Sequence, residues 1–283
     1  MYIPKGGVAF FDSGIGGLTV LAECKKRLPF HTFYYYGDNA RAPYGNLKTS
    51  VIQSYVFEIF EKLASLQPSA AVIACNTATA LCIDELRKMY AFPIIGAEPA
   101  VFSAVKRGGE IFVLATRATC ESMRFQNLCK KASEKYRTSI VRPFACERLA
   151  GEIENNLFDK KNKNFDFSPF LPKGNPDAVV LGCTHYVFIK EQIHNFYHCP
   201  TFDGNAGMAN RLCSFVDNFP NPLYGLNCGE LNLGRWKSER ERDGQPLFTT
   251  TQETPFYAPV YFLGEQKALN ERIFEQMFVK ISK

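Results

Sequence analysis

The chain has 283 residues, a formal net charge of +5 and a composition that is 46% hydrophobic and 22% charged, the profile of a soluble globular protein with room for two domains of ordinary size. Its basic residues are dispersed. The densest charged stretch, Lys237 to Asp243, alternates in sign, which excludes the basic stripe of a nucleic-acid binder and reads as a solvated loop. Met1 to Pro4 runs directly into a strand-like segment, and no apolar run reaches the roughly 20 residues needed to span a bilayer. A cytoplasmic protein is expected.

In chain order, short β-rich runs alternate with helical patterns, the signature of a parallel sheet covered by helices. Gly7 to Phe11 reads as a strand, Leu18 to Leu28 as a helix and Thr32 to Tyr36 as a second strand. Between Lys48 and Leu66 the apolar residues Val51, Ile52, Tyr55, Val56, Ile59, Phe60 and Leu63 recur at helical spacing. Ala70 to Ala74 is a short apolar strand, Ala78 to Met89 a helix and Pro93 to Gly96 a strand. The rhythm restarts at Ile111 to Ala115. The tail from Glu265 to Lys283 carries Leu269, Ile273, Phe274, Met277, Phe278 and Ile281 at helical spacing, an amphipathic helix that must bury one face on the body or on another subunit.

The chain repeats itself. Gln67 to Thr77, QPSAAVIACNT, aligns without gaps on Asn175 to His185, NPDAVVLGCTH, 108 positions later. Pro93 follows Cys75 by eighteen residues and Pro200 follows Cys183 by seventeen. The strand ending at Asp12 corresponds to the one ending at Thr116. Two similar α/β halves, each presenting a cysteine at a strand end, are therefore expected. The first comprises residues 1–97 with 207–264, the second 98–206, and 265–283 form the terminal helix.

Of the ten cysteines no two are spaced C-x-x-C, so zinc-ribbon and thioredoxin patterns are absent. Most read as small buried hydrophobes. Cys75 and Cys183 differ, because ligands of open α/β sheets bind at the carboxyl ends of strands. A helix start also favours negative charge, which can lower a thiol's pKa. Asn76, Thr77 and Thr184 suit helix capping. Two thiols facing each other across a cleft could invert a carbon centre: one removes a proton from one face while the other returns one to the opposite face.

Four blocks, DSGIGGL (Asp12 to Leu18), YYGDNARAPYG (Tyr35 to Gly45), ACNTATA (Ala74 to Ala80) and GCTHY (Gly182 to Tyr186), resemble the signature blocks of glutamate racemases, in that family's order, over about Val8 to Gly264. The resemblance implies two mostly parallel α/β domains in pseudo-twofold relation about a cleft. It implies interconversion of L- and D-glutamate without pyridoxal phosphate, other cofactor or metal, supplying D-glutamate for peptidoglycan, in a homodimer. Carried over by residue, Cys75 would deprotonate D-glutamate with help from Asp12. Cys183 would deprotonate L-glutamate, tuned by Glu147 and His185. Substrate contacts would come from Asp12, Ser13, Pro43, Tyr44, Gly45, Asn76, Thr77, Thr119, Thr184 and His185. Where the family commonly continues GCTHY with proline, Val187 stands here, and residues 221–252 align poorly.

Alternatives are distinguishable. Asp12 and Ser13 also suit a plain turn, and GIGG lacks the third glycine of a dinucleotide loop, Thr19 standing in its place. A C-x5-R thiol phosphatase fails because positions 81 and 189 are Leu and Ile. A binding protein would need neither thiol. An aspartate or other acidic amino-acid racemase shares the chemistry and differs only in pocket depth.

Overall fold

The computed structural model describes residues 6–157, 165–216 and 260–281. The charged stretch 237–243 and the poorly aligned segment 221–252 lie outside these residues.

Two parallel sheets form the frame. The first is built from β1 (Val8–Asp12), β2 (Phe33–Gly37), β3 (Ala70–Ile73), β4 (Ile94–Gly96) and β9 (Val260–Leu263), in the order β4-β3-β1-β2-β9. The second contains β5 (Gly109–Ala115), β6 (Ser139–Ala145), β7 (Ala178–Leu181) and β8 (Thr201–Phe202), in the order β6-β5-β7-β8. Adding four to each number in β4-β3-β1-β2 gives β8-β7-β5-β6, so the sequence repeat is a repeat of topology. β1, β3 and β7 are buried along their whole length, which explains their unbroken apolar runs: helices cover both faces.

On one face of the first sheet, α1 (Leu18–Arg27), α9 (Asn205–Val216) and α10 (Lys267–Ile281) close a core around Phe10, Leu21, Tyr35, Val72 and Leu212. On the other, α2 (Thr49–Ala64) and α3 (Asn76–Met89) pack through Ile52, Ile59, Phe60, Ile83 and Leu86. The second sheet is covered by α7 (Leu149–Asn156) and α8 (Lys190–Tyr197) on one face, and by α4 (Val101–Ala104) and α6 (Met123–Lys135) on the other; α5 (Arg117–Glu121) follows β5. We call the two sheet-centred halves lobes.

The terminal helix finds its cover within this chain. Ile273 and Phe274 are buried in the first lobe's core, and Leu269 and Met277 pack against it; the side chains of Phe278 and Ile281 lie outside the described residues. The helix after Cys75 begins at once, whereas Cys183 is followed by a 3-10 turn, Thr184–Ile189, before α8 starts. The second half therefore departs from the repeat at its cysteine. Among the described residues, no helix is long and apolar enough to cross a membrane.

Candidate active site

The site is built at the carboxyl ends of β1, β3, β5 and β7, where the lobes meet. Asp12 is the last residue of β1 and has no exposed surface. The glycine-rich turn that follows wraps its carboxylate: Oδ2 accepts from the amides of Gly14 (3.2 Å) and Gly17 (2.9 Å), and Oδ1 from the Thr184 hydroxyl (3.4 Å) of the other lobe. Burial outweighs these donors and pushes the Asp12 carboxyl up to about 6.

Cys75 holds the junction between β3 and α3. Its sulfur accepts from the Ala78 amide at 3.5 Å, and Ser13 Oγ lies 3.3 Å away. The cysteine itself caps the helix, with Asn76 and Thr77 inside the first turn, so capping is not their role. The thiol does not gain the low pKa expected of a helix start. Burial, followed by the neighbouring Asp12 charge, pushes it up to about 12, against the lowering effect of Ser13 and Ala78. Desolvation of a thiolate here exceeds what one weak amide contact returns.

Cys183 sits in different surroundings. It is extended, makes no capping bond, and has its sulfur 3.6 Å from His185 Nδ1. On the far side of that imidazole, Nε2 lies 2.5 Å from Glu154 Oε1. Burial opposes charge on His185, but the hydrogen bonds to Cys183 and Glu154 prevail and raise its pKa well above the ordinary value. His185 is thus biased towards its protonated form, held between the Cys183 sulfur and the Glu154 carboxylate.

Glu154 replaces Glu147 as the carboxylate at this position. Glu147 is exposed and forms an ion pair with Arg117, while only its backbone carbonyl bridges the lobes, accepting from Asn46 Nδ2 at 3.1 Å. The reason is geometric. Glu147 precedes α7 on the surface, whereas Glu154 lies one turn after Ala150 on the helix face that is buried. That acidic residue in register with Ala150 and Ile153 is the sequence signal that would have found it.

The remaining expected residues gather around this centre. Thr77 bridges the lobes through its hydroxyl, 2.8 Å from that of Thr116 and 3.3 Å from that of Thr119; the Thr116 and Thr119 hydroxyls are 2.9 Å apart. Thr116, at the N-cap of α5, is a site residue that the sequence reading omitted. Asn76 Oδ1 is buried with no hydrogen-bond partner among the described residues and belongs to a residue lining a narrow cavity with Cys183, Thr184, Glu98 and Asn205. Gly45 abuts Thr116, and Pro43 approaches Gly151 of α7. The Tyr44 hydroxyl is committed to the Asp38 carboxylate, which Arg41 also binds, so the hydroxyl braces the turn on which it stands.

Both thiols are nearly sequestered, at 5% exposure for Cys75 and 8% for Cys183. A groove lined by Gly45, Asn46, Lys48, Arg117, Glu121 and Glu147 runs along the junction of the lobes beside Gly45. A separate open groove lined by Val187, Lys190, His194 and Thr201 includes neither thiol. Among the described residues no cluster of three or more His, Cys, Asp or Glu side chains is arranged to hold a metal.

Comparison with known proteins agrees with this architecture. A glutamate racemase of Clostridium acetobutylicum is 36% identical over 240 residues, covering 82% of this chain and 93% of its own. The solved glutamate racemase of Francisella tularensis, in complex with D-glutamate, superposes with a TM-score of 0.66 at 26% identity, over 98% of this chain and 95% of that one. The Escherichia coli glutamate racemase, solved with L-glutamate and the activator UDP-MurNAc-ala, shares the fold with a TM-score of 0.71 at 23% identity, over 97% and 96% of the two chains. The sequence profile of the Asp/Glu/Hydantoin racemase family matches residues 24–212. The chain belongs to that family of isomerases.

Proposed function

We propose that the protein is a glutamate racemase that interconverts L- and D-glutamate by moving a proton at the α-carbon between Cys183 and Cys75. The observation that carries this reading is the unequal setting of two thiols in one buried site: burial and the Asp12 charge hold Cys75 in its protonated form, whereas the Cys183 sulfur contacts a His185 ring backed by Glu154. Proton transfer from one face to the other needs one partner of each kind.

In the L-to-D direction, the Cys183 thiolate takes the α-proton, and the electron pair of that C–H bond stays on the α-carbon, delocalised into the carboxylate. Cys75 delivers its thiol proton to the opposite face, where the new C–H bond forms. Cys75 is left as the thiolate and Cys183 as the thiol, the starting state for the reverse reaction. His185 and Glu154 stabilise charge on the Cys183 side. Asp12, with a pKa near 6, helps reset Cys75. The hydroxyls of Ser13, Thr77, Thr119 and Thr184 and the backbone amides of Tyr44 and Gly45, in the turn that Pro43 opens, donate hydrogen bonds to the carboxylates, and Asn76 Oδ1 provides an acceptor for the ammonium.

Glutamate is favoured by the 36% identity to the Clostridium acetobutylicum glutamate racemase. The same reading assigns the product to peptidoglycan synthesis in the cytoplasm, the enzyme to a homodimer, and the chemistry to the thiols without pyridoxal phosphate or metal. The test is to incubate the protein in deuterated water with L-glutamate and, separately, with L-aspartate. Deuterium at the α-carbon of glutamate with matching loss of optical rotation is expected; no exchange in glutamate rejects the reading, and faster exchange in aspartate reassigns the substrate.

A further inference from the structure

The glycine-rich turn Gly14–Gly17 lies directly against Glu154, Thr184 and His185 of the other lobe. A Cβ on Gly14 would lie 2.1 Å from Glu154 Oε1 and 3.0 Å from His185 Nε2. On Gly16 it would lie 2.2 Å from Thr184 Oγ1, 2.7 Å from the backbone nitrogen of His185 and 2.8 Å from its Nδ1. Real Cβ contacts are almost never shorter than 3.0 Å. Glu154 could swing aside; the His185 backbone cannot. Across the cleft Gly45 repeats the pattern, its Cβ position being 2.7 Å from Thr116 Cβ.

Between these glycines, the amide of Ile15 donates to Glu154 Oε1 at 3.0 Å. The same oxygen contacts His185 Nε2. Glu154 therefore receives one bond from its own lobe and one from the other, and the second exists only while the lobes are in contact. A backbone amide can reach so deep because neither neighbour carries a side chain.

We propose that Gly14 and Gly16 are positioning residues whose lack of a side chain lets the lobes close, and that closure delivers the Ile15 amide to Glu154 to complete the Glu154–His185–Cys183 relay. The relay's role rests on the glutamate racemase reading; the closure does not. Closing a site excludes water and strengthens the electrostatic contacts inside it.

The experiment compares the full-length wild type, Gly16→Ala and Gly207→Ala. A Cβ on Gly207 meets nothing within 4 Å. Iodoacetamide labelling of Cys75 and Cys183 is followed by peptide mass spectrometry, with and without saturating D-glutamate, alongside kcat, KM and Tm. Gly16→Ala is expected to label both thiols at least tenfold faster and to lose at least tenfold in kcat, with Tm within about 2 °C because each lobe's core is untouched. Gly207→Ala is expected to match wild type. If Gly16→Ala labels and turns over like Gly207→Ala, the proposal is overturned. If wild type leaves glutamate unchanged while Gly16→Ala still labels faster, the closure role stands and the substrate assignment fails. Should Gly16→Ala misfold, Gly14→Ala takes its place: its Cβ displaces Glu154 from the Ile15 amide and from His185, so a loss of at least tenfold in kcat is expected, and wild-type turnover overturns the proposal.

Discussion

Glu154 Oε1 stands 2.5 Å from His185 Nε2, on the opposite side of the imidazole from the Cys183 sulfur. A carboxylate, an imidazole and a thiol are thus joined in sequence on the Cys183 side of the site. Among the described residues Cys75 has no such partner; its neighbours are the Ser13 hydroxyl, the Ala78 amide and the Asp12 carboxylate. The two sides of the site are thus unequal in charge although they descend from equivalent strands.

Replacing Glu154 by Gln keeps the side chain's shape and removes the charge that favours the imidazolium. A loss of about 10²-fold in kcat is expected, in line with general acid–base effects of a positioned group. Glu147→Gln, which alters only an exposed ion pair with Arg117, should stay within twofold of wild type. Steady-state kinetics on the two variants decides the assignment, and the reverse ranking would return the role to Glu147.

Cys75→Ser and Cys183→Ser should each lower racemisation by at least 10³-fold, since an alcohol is a far weaker acid than a thiol at either station. Circular dichroism and Tm should remain those of the wild type, the volume change being small. Full activity in either single variant refutes the two-thiol mechanism.

Asp12 provides a pH prediction. Burial pushes its carboxyl up to about 6 in the folded protein, against 3.8 for an exposed aspartate, so the folded state holds a proton more tightly than the unfolded chain does. The stabilising contribution is complete below about 3.8 and is lost as pH rises through about 6. Above that, the buried carboxylate costs about 3 kcal/mol. Asp12→Asn should therefore melt several degrees above wild type at pH 8, with the gap closing towards pH 4, while its activity falls. A gap that is independent of pH would contradict the burial argument. In the wild type, a fall in kcat below about pH 6 is expected as Asp12 takes up its proton.

Thr77→Val removes the hydroxyl that meets Thr116 and Thr119 across the cleft. The cost in stability should be about 1 kcal/mol, whereas KM should rise several-fold because both the inter-lobe contact and a donor are lost. A change in Tm without a change in KM would confine Thr77 to holding the lobes.

Chemistry carried by the thiols alone predicts indifference to EDTA and to hydroxylamine, and no aldimine absorption in active protein. Loss of activity with either reagent, restored by metal or by pyridoxal phosphate, would displace the mechanism.

Much of the architecture is legible in the chain itself. Runs such as VAFF and AAVI, short and bounded by turn residues, read as strands buried on both faces, and α2 announces its buried face through Ile52, Val56, Ile59 and Leu63. The repeat around Cys75 and Cys183 carries the shared strand order, because a duplicated pattern of burial imposes a duplicated sheet. These features depend on periodicity and on neighbours within a few residues, which is information that sequence holds locally.

What only the tertiary structure decided are relations between distant segments. Glu154, seven residues past the expected Glu147, reaches His185 because α7 turns one face towards the 3-10 turn after Cys183. The pKa of Cys75 is set by burial and by Asp12, 63 positions earlier, and burial is a property of the assembled core. The glycine turn resembles a phosphate loop in one dimension and becomes a contact surface in three. Electrostatic work depends on distance and on exclusion of water, and neither quantity exists until the two lobes have come together.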